Sequence, residues 1–160
     1  MTIGQRTGTD LLFFVALLST ALALGAALAH ALELPNKIGL SEQEYFIVQK
    51  AYRGWNRLAF LLLVELGSMS AIAVRWRHDP GILWPTAIAI ACLLCAQAVF
   101  WIYTYPANTA THNWTTVVPE WRALRRQWEY SHAAGAIFQV LAMSALSVAA
   151  LSRATRYDAP

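Results

Sequence analysis

Charged side chains are scarce in this chain, and their scarcity excludes more than any motif does. Asp, Glu, Lys and Arg make up 13% of 160 residues against 58% hydrophobic ones, with a mean hydropathy of +0.42, which rules out an ordinary soluble domain. No basic run interleaved with aromatics occurs, and a formal charge of +3 is too small and too spread out to imply nucleic acid. Linker-like stretches, low-complexity blocks and internal repeats are also missing, so residues 1–160 are expected to form one domain. Cysteine is limited to Cys92 and Cys95, three residues apart inside an apolar run. That placement fits inert thiols facing lipid or core better than a redox or metal pair. What the chain does have is apolar length and aromatic rings. Seven Trp, six Tyr and six Phe suit the belts where hydrocarbon meets water, with membrane lipid as the expected partner.

Four apolar stretches of spanning length organise the sequence. The first, 11–34, is closed by Pro35 and exceeds the about 20 residues that a bilayer requires. Arg6 and the small residues Ala27-Leu28-Ala29 also permit a secretory signal, but the apolar stretch is too long for a signal core. Ser41-Glu42-Gln43-Glu44 is a capping box, predicting a helix whose Tyr45, Phe46, Val48, Gln49, Tyr52 and Trp55 make it amphipathic. A second span, 58–74, is interrupted by Glu65. A turn at His78-Asp79-Pro80-Gly81 leads into the third, 82–105, ended by Pro106. After a polar loop, 107–118, a long helix starts with Pro119 in its first turn and becomes the fourth span, 128–151. The expected fold is all-α, a four-helix transmembrane bundle with amphipathic helical extensions before spans two and four. Close helix approach is expected at Ala23/Ala27, Gly67/Ala71 and Ala145/Ala149.

Cations divide five against seven between the two sides, with Arg6, Arg75, Arg77 and a short exposed tail carrying Arg153 and Arg156 on one. The short turn from Arg75 to Pro80 favours cytoplasmic termini, in a bacterial-type inner or plasma membrane.

The polar residues converge on the other side. Trp121, Arg125, Trp128 and His132 recur at steps of four, three and four, so one helix face carries them on through Gly135 to Gln139, with Glu129 beside them. His30 and Glu33 end span one, Asn108 and His112 follow span three, and Glu65 enters from span two as a possible floor. Gln97, Trp101, Thr104 and Asn108 share a face of span three. Ionisable groups are costly in such a place unless used or paired. The plainer readings are an interfacial His30, a Glu65 paired with Arg57 or His132, a solvated Arg125-Arg126-Glu129 run, and Trp121 and Trp128 as membrane anchors. A sharper one is metal: His30-x-x-Glu33, Glu129-x-x-His132 and Glu65 partly match a carboxylate-bridged di-iron bundle, for iron or another transition metal. Haem held by His30 and His132 is a further option.

Taken together, His30-Ala-Leu-Glu-Leu-Pro-Asn-Lys37, Tyr52-Arg-Gly-Trp55, Tyr105-Pro-Ala-Asn108 and the Trp121, Arg125, Trp128, Glu129, His132 series resemble the anthrone-oxygenase-like family of small four-helix membrane proteins. The similarity covers almost the whole chain, and its most specific part falls on Asn108, Trp114, Arg125, Trp128, Glu129 and His132. The resemblance implies oxidation of an electron-rich anthrone to an anthraquinone by dioxygen without a bound cofactor. Such chemistry needs a base, donors for an enolate oxygen and a dry aromatic pocket. His132 is then the expected base, oriented by Glu129 or Glu65. Arg125 and Asn108 would hold the oxyanion, while Trp101, Trp121 and Trp128 would stack on a planar substrate beside His30 and Glu33. The alternative is a non-enzymatic accessory subunit presenting its Arg125 face to a partner. A transporter would require the chain to form a homo-oligomer.

Overall fold

The computed structural model describes the backbone of residues 3–157 and the side chains of residues 8–154, so the side chains of Arg6 and Arg156 lie outside the described residues. Among the described residues every regular element is helical: α1 (Ile3–Lys37), α2 (Glu42–Val48), α3 (Leu58–Arg75), α4 (Pro80–Val99), α5 (Tyr105–Ala110) and α6 (Trp121–Tyr157). Two short 3-10 turns, Gln49–Tyr52 and Trp55–Arg57, join α2 to α3. Four stretches, Gly8–Lys37, Trp55–Arg75, Pro80–Ala110 and Trp121–Ala154, are long and apolar enough to cross a membrane. The protein is an all-α, integral membrane four-helix bundle. In it α6 packs between α1 and α4, and α3 completes the ring by touching both α1 and α4.

Local chemistry explains these elements. The Ser41 hydroxyl accepts the Glu44 N–H and the Glu44 carboxylate accepts from the Ser41 backbone, so the capping box starts α2 as the sequence requires. Hydrogen bonds from Ser41 hold the exposed Glu44 carboxyl below its usual value. Asp79 caps α4 by accepting the Gly81 N–H at 3.1 Å, with Pro80 in the first turn, where its missing N–H costs nothing. Inside the spans Ser19, Thr20 and Thr86 donate to carbonyls three or four residues back, which satisfies their hydroxyls where no water reaches.

The structure passes through two prolines at which the sequence predicts a stop. Helix α1 includes Pro35 and runs to Lys37. Proline forfeits one hydrogen bond to the residue four back, a small loss in a last turn that then ends anyway. The third span continues past Pro106 because Phe100–Thr104 widens into a π-turn, in which the Tyr105 N–H reaches the Phe100 carbonyl five residues back. One extra residue in that turn makes room for the proline ring and carries the helix on to Ala110.

Other expectations are corrected as well. Pro119 lies before α6, which starts at Trp121 with the Leu124 N–H bonded to the Glu120 carbonyl. Arg153 is not in an exposed tail: it belongs to α6, pairs with Asp10, donates to Thr9 and lies over the rings of Phe13 and Trp76. Of the small-residue pairs, Ala145/Ala149 packs in the core, Ala23/Ala27 lines a cavity, and Gly67/Ala71 is exposed.

Two apolar clusters hold the bundle. One, at the Pro80 end, joins Phe13, Met69, Ile72, Ile82, Ala142 and Leu146. The other caps the opposite end with Tyr45, Ala107, Trp114, Trp121 and Trp128. The cavity lies between them.

Candidate functional site

A cavity of about 630 Å³ opens at the end of the bundle where α1 finishes and α6 begins. That is within the range of small-molecule sites, about 300–1,000 Å³. Small residues, Ala23, Ala26, Ala27 and Gly135, leave the space, and Trp55, Trp101, Trp114 and Trp128 give it aromatic walls. Exposed residues from three segments, Arg53, Asn56, Ala59, Trp101 and Asn113, stand at its mouth.

His132 is the most informative wall residue. Its Nδ1 lies 2.9 Å from the Trp128 carbonyl oxygen, four residues back on α6. A carbonyl oxygen only accepts, so Nδ1 carries the proton, and in the neutral ring Nε2 presents a lone pair. Its ring stacks on Trp128 with centroids 4.0 Å apart and against His30 at 4.2 Å. His30 is also enclosed by Tyr52 at 4.5 Å and Trp55 at 5.0 Å. The two imidazoles touch each other, and this arrangement leaves no gap between them for a porphyrin.

Asn108 places the indoles. Its Oδ1 accepts the Nε1–H of Trp128 at 2.8 Å and of Trp114 at 3.2 Å. Trp114 reaches it from a backbone turn in which His112, Asn113 and Trp114 have φ of 46°, 56° and 60°. Left-handed backbone costs a non-glycine residue about 1–2 kcal/mol. Here it is held by the Asn113 N–H to the Asn108 carbonyl at 2.6 Å and the Trp114 N–H to Thr111 Oγ1 at 3.0 Å. His112 itself is exposed and does not line the cavity.

Behind the aromatic wall lies a charge network. Lys37 is buried, with Nζ 3.2 Å from Glu129 and 3.4 Å from the half-exposed Glu33, and it donates to Tyr52 Oη at 2.7 Å. Tyr52 in turn donates to Glu33, and Tyr45 donates to Glu129 at 3.0 Å while accepting from Gln49 at 2.7 Å. Burial pushes both phenols well above the ordinary tyrosine range, helped by Glu129 at Tyr45 and by Glu33 at Tyr52. Lys37 also sits over the Trp128 ring, 5.1 Å from its centre, so the cation supports the wall from behind.

The predicted residues thus separate into groups. His30, Trp101, Asn108, Trp128 and His132 line the cavity. Glu33 and Glu129 bind Lys37 instead, and neither orients His132, whose Nδ1 is bonded to the Trp128 carbonyl. Glu65 is fully buried beyond the cavity floor, where Gln139 donates to it at 3.5 Å; Gln139 is the residue that lines the space. Arg125 donates to the Leu40 carbonyl at 2.6 Å and covers Trp121 and Tyr45, so it fastens the segment after α1 to α6 away from the cavity. Trp121 belongs to that same cap. His30 with His132, Glu33 with Glu129, and Glu65 occupy separate places, and among the described residues no three His, Cys, Asp or Glu side chains converge as a metal site.

Sequence reasoning missed Lys37, Tyr45 and Tyr52 as site residues. A signal was present: His30, Glu33 and Lys37 fall at steps of three and four, one helix face, provided α1 passes through Pro35. Tyr45, Gln49 and Tyr52 follow the same spacing.

Fold and cavity together define a four-helix integral membrane protein with a histidine-bearing, aromatic-walled cavity toward one membrane face. Compared with models of known families, with curated proteins and with solved structures, the chain matches none.

Proposed function

We propose that the cavity binds a planar lipophilic molecule of the aromatic or quinone class and that His132 is the base in its oxidation by dioxygen. The observation that carries this reading is the state of His132: Nδ1 is committed to the Trp128 carbonyl, the ring lines a space walled by indoles, and Nε2 has no hydrogen-bond partner among the described residues. A base of that kind takes a proton from an activated methylene and leaves an enolate. Over the whole reaction the methylene carbon loses two hydrogens and gains one oxygen atom of dioxygen, and the second oxygen atom leaves as water. Amide donors on Asn108 and Asn113 would stabilise the enolate oxygen, and the walls would keep water from it. The resemblance to anthrone-oxygenase-like proteins points the same way. Arg75 and Arg77, both exposed on the short turn, support cytoplasmic termini in a bacterial-type inner membrane, with the cavity toward the opposite face.

The test is turnover of an anthrone by purified protein, followed by quinone absorbance. A His132→Gln variant should bind the quinone product within about threefold of wild type yet lose about 10²–10⁴ in rate, the usual contribution of a general base. Wild-type turnover in a folded His132→Ala protein would refute the role.

A further inference from the structure

Although the cavity is polar as well as aromatic, no Asp or Glu among the described residues lines it. Each nearby carboxylate is turned away: Glu33 and Glu129 to Lys37, and Glu65 behind Gln139. The polar groups that do line it are amides, hydroxyls, two imidazoles and a single full cation, Arg53. Arg53 is exposed at the mouth, and among the described residues no carboxylate pairs with it. Exposed Lys50 and Arg57 lie three residues before and four residues after it on the same extension and add positive charge to that segment. A guanidinium presents a planar fork that matches a carboxylate.

The geometry also fixes a length. Trp128, buried in the aromatic wall, and Gln139 at the floor both line the cavity and stand eleven residues apart on α6, which is about 16 Å of helix rise. His132 lies one turn below Trp128, or about 6 Å. A ring system that fills the length between Trp128 and the floor therefore lies against His132.

We propose that the ligand of this cavity is an anion: a planar lipophile carrying a carboxylate, seated with that group on Arg53 and its rings between Trp128 and the floor. This rests on the reading of the cavity as an aromatic-ligand site and names the ligand class more narrowly.

The experiment compares anthraquinone-2-carboxylate with its methyl ester by quenching of tryptophan fluorescence, with protein in a neutral detergent. The acid should bind wild type about tenfold more tightly than the ester. Arg53→Gln should abolish that preference by weakening the acid alone, while Arg126→Gln, an exposed cation off the cavity, should leave it intact. Equal binding of acid and ester to wild type, or a preference that survives Arg53→Gln or disappears in Arg126→Gln, overturns the proposal while the cavity reading stands. Failure of both compounds to bind wild type, or undiminished binding to a folded Gly135→Leu protein, overturns the cavity reading itself. Hexadecanoate competing as strongly as the aromatic acid would overturn the planar half of the assignment.

Discussion

Replacing Lys37 by methionine should be among the most damaging single changes in this chain. Lys37 and Glu129 are almost entirely enclosed, with side-chain exposures of 4% and 0%, and lie 3.2 Å apart. Removing the cation leaves a buried carboxylate whose remaining donor is the Tyr45 hydroxyl. Breaking a buried pair from one side costs about 3–5 kcal/mol. Glu129→Gln should cost less, since Lys37 keeps Glu33 at 3.4 Å and Tyr52 at 2.7 Å, while the glutamine oxygen still accepts from Tyr45. The double variant, Lys37→Met with Glu129→Gln, removes both charges and should recover most of the loss, because the desolvation that the pair offsets disappears with it. Unfolding of detergent-solubilised protein, followed by tryptophan fluorescence across a denaturant series, gives all corners of the cycle. A Lys37→Met protein within about 1 kcal/mol of wild type would place the pair in the range of exposed ion pairs. A double variant as unstable as the sum of the singles would show no coupling. Either result refutes the assignment of Lys37 as the charge that makes a buried Glu129 tolerable.

Asn108→Leu should strand two indole N–H groups and cost about 2–4 kcal/mol, whereas Asn108→Asp, which keeps an oxygen in place, should cost much less; thermal unfolding compares them. Tyr45 and Tyr52 should stay protonated well beyond pH 10, the ordinary tyrosine value. Since their folded pKa is raised, the stability they contribute is complete below about pH 10 and is lost as pH rises above it, where the unfolded phenols ionise first. Tyrosinate absorbance of Tyr45→Phe or Tyr52→Phe proteins should overlay wild type up to pH 11, and loss of a group titrating near 10 would contradict this. A Cβ at Gly135 meets nothing within 4 Å, so Gly135→Ala should raise stability by about 0.5–1 kcal/mol, and Gly135→Leu should fold yet exclude ligand, read by melting and by quinone binding.

The spans were legible because hydrocarbon forces the simplest of patterns, and the face from Trp121 to Gln139 was legible because α6 is an unbroken helix on which steps of three and four hold for its whole length. Depth was legible too: His30, Asn108 and His132 do meet at one end of the bundle. Direction within that end was not. Glu129 is adjacent in sequence to Trp128, and the 100° between neighbours on a helix turns its carboxylate to the far side of the wall, where Lys37 waits. Arg125, one turn before, follows Trp121 into the cap for the same reason. The prolines misled in a different way. Pro35 and Pro106 were read as ends because proline lacks an N–H, but a last turn has little to lose and a π-turn can absorb the ring. Stopping α1 at Pro35 removed Lys37 from the face it shares with His30 and Glu33.

That single cation explains why the site has the polarity it does. Glu33, Glu65 and Glu129 stand close to the cavity, and left facing it they would repel an enolate or a carboxylate ligand and compete with His132 for its proton. Lys37 gathers Glu33 and Glu129 on the outer side of Tyr52 and Trp128, and Gln139 interposes its amide before Glu65. The aromatic rings then serve as a partition as well as a binding surface, with the charges needed for structure behind them and the His132 imidazole in front. Substituting Lys37 should therefore alter ligand binding even though its side chain does not line the cavity. In a Lys37→Met protein the cation behind the Trp128 ring is gone and Glu129 is held only by Tyr45, so the potential behind the wall becomes more negative. Binding of an anionic quinone should weaken in that variant, and the double variant with Glu129→Gln should restore it. A ligand affinity unchanged across all corners of that cycle would mean that the partition plays no electrostatic part and that Lys37 serves the fold alone.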